Sequence, residues 1–419
     1  MIRVAFRDDM KTNLHLLATR IGPLLAATIA LLPLAASGGE GSGRPVISPS
    51  LARLEPGAAQ QFRVTMSGEP ARAPRWMVNG IPGGNATIGR ISASGLYTAP
   101  AAIPSPREIH IGARIEKPAS LHAWATVVMG SGNPTYKLVS RFGERGSGPG
   151  RFIDPHAIAI GRDGNLIIVD SIPAHVYRYT KEGKYLGELG SGPGSGPGQF
   201  DGPRDVQVDH EGNIFIADGN NGRIQVFSPS GKLLRMFGRK GKAPGEMLRV
   251  HAIWFGKAGR LYAADVDNSR IMVYNHEGKF LFEWGKDGRA PGEFHAPHGL
   301  GGDENGDLFV SNYYGPCQKF TGDGHFLIEF APASETGGAT HWHAMTSDRW
   351  GNAYLMSRDK QNRNSIMKFN NNGTFVTSWP PLRDMKEWGV KAATVGRDGT
   401  IYVCVESKQQ VGIEIYREE

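Results

Sequence analysis

Six residues, each eight positions ahead of a recurring glycine, carry the strongest chemical signal in this chain of 419 residues. They are His156, Arg204, His251, His298, His343 and Lys391, ahead of Gly164, Gly212, Gly259, Gly306, Gly351 and Gly399. Histidine accounts for 13 of the 419 residues, yet it fills four of these six places, and lysine or arginine fills the others. His156, His251 and His343 alternate along the series, so a ring of six equal units would relate them by threefold rotation. Three imidazoles with a fourth position left open are the ligand set of a catalytic zinc, which acidifies a bound water or polarises a substrate oxygen. His298 then serves as an extra ligand or as an acid–base group. Arg204 and Lys391 are of the type that holds a carboxylate or other anion. Against this stands a plainer account. Repeats copied by duplication inherit a residue together, and such histidines and cations can simply face water.

The elements that must position these residues follow from the glycines, whose spacings of 48, 47, 47, 45 and 48 residues mark an internal repeat. An apolar strand precedes each glycine, as in HAIAI (156–160) and HAIWF (251–255), and a second follows, as in NLIIVD (165–170) and NIFIAD (213–218). A third strand (RIQVF, 223–227), a turn (SPSG) and a fourth strand (KLLRMFG, 232–238) complete the unit. Four antiparallel strands repeated six times predict an all-β fold, a six-bladed propeller whose inner strands begin at the mouth of a central channel. The last unit ends at GIEIY (412–416) without a fourth strand, while YKLVSRFG (136–143) reads as a fourth strand lying ahead of the first unit. Pairing the two closes the ring and removes an exposed edge. Throughout 136–419 the units resemble the NHL repeat, PGQFDGPRDVQVDHEGNIFIADGNNGRIQVFSPSG (197–231) most fully.

A second resemblance concerns the column itself. DPHAIAI (154–160), RVHAIWF (249–255) and HWHAMTS (341–347) stand in matching phase and resemble the motifs with which peptidyl-hydroxyglycine amidating lyases open alternate inner strands. The resemblance implies zinc on His156, His251 and His343, and a channel-face tyrosine and arginine besides. The blade-two loop where that tyrosine is expected reads DGNNGR (218–223), with Asn220 in its place. Tyr313 or Tyr314, in the corresponding loop of blade four, substitutes if it reaches the channel. The disulfides expected of the animal enzymes are absent, so fold and metal site could be shared while the substrate differs.

The rest of the chain bounds the setting. Residues 1–37 read as an export signal, with basic residues ahead of the apolar stretch Ile21–Leu34 and a cleavage site near Ser37. That stretch is too short and too broken by proline to cross a bilayer, so the expected location is secreted, periplasmic or at the cell surface. Residues 38–44 read as a flexible linker, and 45–130 as a small β-sandwich in which WMVNGIPGGNATIGRISASGLYTAP (76–100) resembles a bacterial Ig-like domain. Trp76 and Tyr97 are expected in its core. The net charge of +7 includes four cations and two anions in residues 1–37, leaving +5 beyond them, with no basic run dense enough for nucleic acid. Cys317 and Cys404 fall in different repeats and are not expected to pair. Asp170, Asp218, Asp265 and Asn312 form a second column, six after each glycine, expected to bind turn amides, with Arg223 and Arg270 pairing such carboxylates between blades. Two functions remain for a protein expected to be monomeric. One is a metal-dependent lyase acting on a small molecule or peptide at the channel mouth. The other is a non-catalytic propeller that holds a protein or polysaccharide.

Overall fold

The computed structural model describes residues 43–116, 120–331, 339–359, 363–380, 389–408 and 410–419. The export signal expected over 1–37 and most of the linker lie outside them. The fold is all-β, and its larger part is a propeller of six four-stranded sheets. Blade one runs Pro155–Ile160, Leu166–Asp170, His175–Tyr179 and Tyr185–Leu189 from the hub outward. The inner strands of blades two to six are Pro203–Val208, Val250–Phe255, Pro297–Gly302, Ala339–Ser347 and Val390–Val395. Tyr136–Phe142 pairs antiparallel with the last strand, Val411–Glu418, and so supplies the outer strand of blade six.

The six repeat glycines close the turns between first and second strands, with φ between +68° and +89°. In blade one, Gly164 N–H donates to Gly161 O at 3.0 Å. A left-handed residue in so tight a turn favours glycine. Second strands such as Leu166–Asp170, Ile214–Asp218 and Leu261–Asp265 are buried along their whole length, as expected of strands covered on both faces. Six apolar clusters then lie one between each pair of neighbouring blades. One joins Val169 and Val176 to Val206 and Ile214, and the last joins Ile158 and Leu166 to Tyr402 and Ile413 across the closure. The core is thus a ring around an open axis rather than a central mass. Cys317 and Cys404 are both buried and free.

The second column behaves as cross-links for the loops that enter each blade. Asp265 accepts from Leu248 N (3.0 Å), Arg249 N (3.2 Å), the Asn268 side chain (2.6 Å) and Arg270 Nε (3.2 Å). Asp170 receives Ile153 N and Asp154 N, and Asp218 receives Asp201 N. Arg223 and Arg270 pair with Asp218 and Asp265 within their own blades, not between blades. What they reach across to is the carbonyls of the incoming loop, Gly196 and Gln199 for Arg223, and Glu246 for Arg270. Asp265→Ala strands two loop amides and takes from Arg270 one of its two carboxylate partners, an expected loss of ~2–3 kcal/mol measurable as a lower urea midpoint.

Residues 45–129 form three small sheets, the largest built from Leu51–Leu54, Leu121–Met129, Glu108–Ile115, Arg75–Val78 and Ile81–Pro82. They share one core that includes Trp76 and Tyr97. This module rests on the turns at the far end of the inner strands and on the third strand of blade five. Arg44 pairs with Asp307, Trp124 packs edge-on against Trp350 at 4.7 Å, and Glu108 pairs with Lys368 with both side chains buried. Those turns follow the inner strands, whereas the His/Arg/Lys column begins them, so the module occupies the face opposite the column.

Candidate functional site at the channel mouth

One local irregularity, repeated six times, builds the site. In every blade the ladder between first and second strands skips an inner-strand residue at the column position, and in blade five it also skips Thr340. Pro155 faces Asp170 and Ala157 faces Val169, which leaves His156 unpaired. The same shift leaves Arg204, His251, His298, His343 and Lys391 out of register. A β-bulge redirects its extra side chain away from the pleat, and here it delivers the column to the axis.

The bulge also frees backbone carbonyls, which the neighbouring blade uses. His156 Nδ1 donates to Arg204 O at 3.0 Å, His251 Nδ1 to His298 O at 2.9 Å and His298 Nδ1 to His343 O at 3.2 Å. A carbonyl only accepts, so each of these rings carries its proton on Nδ1 and presents Nε2 as an acceptor. Burial, with the nearby cations Arg204 and Lys391, holds His156 well below the usual imidazole range. Burial and then His298 do the same to His251, burial and then Lys391 to His343, and His298 is lowered to about 4 chiefly by burial. All four are neutral bases at pH 7.

Their mouth is a cavity of about 460 Å³ whose walls include all six column residues, with Tyr313 beside them. Below it, a wider channel of about 910 Å³ shares His156, Arg204, His251 and His298 with the mouth. His156 lies 5.1 Å from His251 and 6.3 Å from His343, centroid to centroid, while His298 stacks on His251 at 3.8 Å. Tetrahedral zinc with Zn–N near 2.0–2.1 Å sets imidazole centroids about 5 Å apart. The three donors therefore fit in kind, and His156 and His251 also in tautomer, since a ligating His usually gives its other N–H to a carbonyl. The spacing fits for the first pair and is wide by about 1 Å for the second. As the side chains stand, no group of three His, Cys, Asp or Glu among the described residues encloses an ion.

The cations divide into paired and unpaired. Lys391 lies 3.1 Å from Asp154 and 3.5 Å from Glu406, so its charge is already answered. Arg249 pairs with Asp267 at 2.6 Å. Arg204 has no ion-pair partner among the described residues, and its buried Nε lacks a hydrogen bond. Of the two tyrosines, Tyr313 lines the mouth, 4.7 Å from the His298 ring. Tyr314 stands outside it, 43% exposed and packed on His295 and His341. Asn220 is occupied with Asp201. Sequence reading missed Asp154, Arg249 and Asp267. The first two sit two residues before His156 and His251, at a phase that holds Gly202, Ala296 and Gly389 in other blades and so gave no signal.

A family model described as a 6-bladed beta-propeller, DUF5128, matches residues 205–287. No curated protein matches the sequence. Among solved structures, a protein of unknown function from Bacteroides thetaiotaomicron aligns with TM-score 0.52 at 15% identity, covering 89% of this chain and 97% of its own. A gluconolactonase from Xanthomonas campestris aligns at 0.48 and 12% identity over 69% of this chain and 96% of its own. Virginiamycin B lyase from Staphylococcus aureus aligns at 0.47 and 14% over 68% and 89% respectively. The family model bears out the β-propeller fold.

Proposed function

We propose that this is an exported NHL-type propeller behind an Ig-like module (45–130), and that its channel mouth is the site of a metal-dependent lyase. The observation that carries this reading is the set of six bulges, which turns four neutral imidazoles and one unpaired guanidinium toward a single cavity. His156, His251 and His343 would hold a divalent ion, zinc by the nature of the donors, and the ion would polarise a substrate oxygen. The substrate class is a carboxylate carried on a carbinolamide, as in a hydroxyglycine-ended peptide. Arg204 holds the carboxylate. His298, whose Nδ1–H is committed to His343 O, has only Nε2 with which to take the hydroxyl proton. As the C–O bond becomes C=O, the C–N bond breaks with its electron pair on nitrogen. The Tyr313 hydroxyl protonates that nitrogen, and the proton on His298 passes through water to restore the phenol. An amide and an aldehyde acid leave.

Metal content tests this directly. Plasma mass spectrometry of the purified protein is expected to find near one zinc per chain and almost none in His251→Ala, with turnover of a hydroxyglycine-ended peptide lost in parallel. Absence of metal from both forms would end the lyase reading and leave a propeller that binds a protein or polysaccharide.

A further inference from the structure

A third cavity adjoins the mouth and has no part in the chemistry just described. It is a groove of about 590 Å³ between blades one and two, lined by Ser171, Ile172, Pro173, Ala174, Phe200 and Arg204 among others. Two polar groups in its wall lack partners. The Ser171 hydroxyl is buried with no hydrogen bond in a residue 3% exposed, and Arg204 Nε is likewise unsatisfied. Buried donors without acceptors are uncommon in folded proteins, and each is a place where a ligand atom gains a hydrogen bond at little cost. The groove's carboxylate, Asp201, already accepts from Asn220. Apart from Ser195 and Asn220 the remaining wall carries no polar side chain, and Ile172 in it is 59% exposed, a large aliphatic side chain left in water. Because Arg204 borders groove and mouth alike, a ligand whose carboxylate rests on its guanidinium can send its chain outward along the groove.

We propose that this groove is the subsite for the acyl chain of a carboxylate-ended peptide, with the Ser171 hydroxyl donating to a peptide carbonyl and Ile172, Pro173 and Ala174 receiving an apolar penultimate side chain. The assignment rests on the reading of the mouth given above but stands or falls on its own binding data. The volume lies within the range of small-ligand pockets, about 300–1,000 Å³, which suits a dipeptide.

Calorimetric titration of the full mature chain with acetyl-Leu-Gly and acetyl-Gly-Gly, each as the free acid and as the amide, provides the test. The leucine acid is expected to bind about tenfold tighter than the glycine acid, in keeping with burial of one apolar side chain. Ile172→Asp, at an exposed position, should erase that preference while leaving the glycine acid within about twofold. Ser171→Ala should weaken both acids about fivefold, the worth of one neutral hydrogen bond. Equal binding of the two acids by the wild type, or a leucine preference that survives Ile172→Asp, overturns the assignment. The two readings separate cleanly. Leucine preference in a metal-free, inactive protein keeps the groove and removes the lyase, whereas turnover without leucine preference keeps the lyase and removes the groove.

Discussion

Lys368→Ala is expected to be the most destabilising single substitution considered, lowering stability by ~3–5 kcal/mol. Lys368 lies in the third strand of blade five and is 3% exposed, paired with a Glu108 side chain 2% exposed. Its ammonium also sits 3.4 Å from the Tyr136 hydroxyl and 5.2 Å from the centre of the Tyr354 ring. Burial alone would drive the amine neutral, but the Glu108 carboxylate outweighs it and holds its pKa well above the ordinary lysine value. Truncation leaves a carboxylate stranded out of water at the junction of three parts, namely the N-terminal module, blade five and the closing strand. Thermal unfolding followed by circular dichroism should show a midpoint lowered by roughly 6–15 °C. The paired replacement Lys368→Met with Glu108→Leu should recover most of the loss, because a buried ion pair is worth little more than a well-packed apolar pair. If the single variant melts with the wild type, the interface is not closed to water as described.

Arg204→Gln is expected to raise KM for a carboxylate-bearing substrate about 50-fold while zinc content and melting temperature stay near wild type. A charge-assisted hydrogen bond to an anion is worth ~1.5–3 kcal/mol, and each 1.4 kcal/mol is tenfold. Arg204→Lys should recover only part, since a point charge replaces a planar fork. The backbone carbonyl that holds His156 is untouched by either change. The same substitution at Lys391 should matter much less, because Asp154 and Glu406 already surround that ammonium. Steady-state kinetics of the two variants side by side separates an anchor from a structural cation. Equal effects at both positions would remove Arg204 from its special place.

How far this contrast was legible in the sequence differs from residue to residue. The repeat phase placed His156, Arg204, His251, His298, His343 and Lys391 in one ring because propeller blades keep their register from copy to copy. The same periodicity foretold that 136–143 would complete the last blade. The bulge could not be read, since it is a property of pairing between two strands and leaves the alternation of apolar residues almost unchanged. The quenching of Lys391 was hidden as well. Its partner Glu406 lies on the next strand of the same blade, but Asp154 comes from blade one, which meets blade six only through closure of the ring. Tyr313 and Tyr314 were indistinguishable for a related reason: adjacent residues in a turn diverge, and only the turn's backbone decides which enters the mouth. Ser171 carried no motif at all, because an unsatisfied hydroxyl is defined by what surrounds it.

The offset of one residue in each inner strand has a consequence for how such a protein can change over evolutionary time. Six reactive positions hang from a frame whose interstrand ladder runs past them, so exchanging imidazole for guanidinium, amide or hydroxyl at any of them leaves that frame intact. The fold supplies six interchangeable sockets around a drain, and a new reagent can be installed by a single codon change. Close relatives in architecture are therefore expected to differ freely in chemistry, and the identities of six residues should forecast activity better than overall likeness.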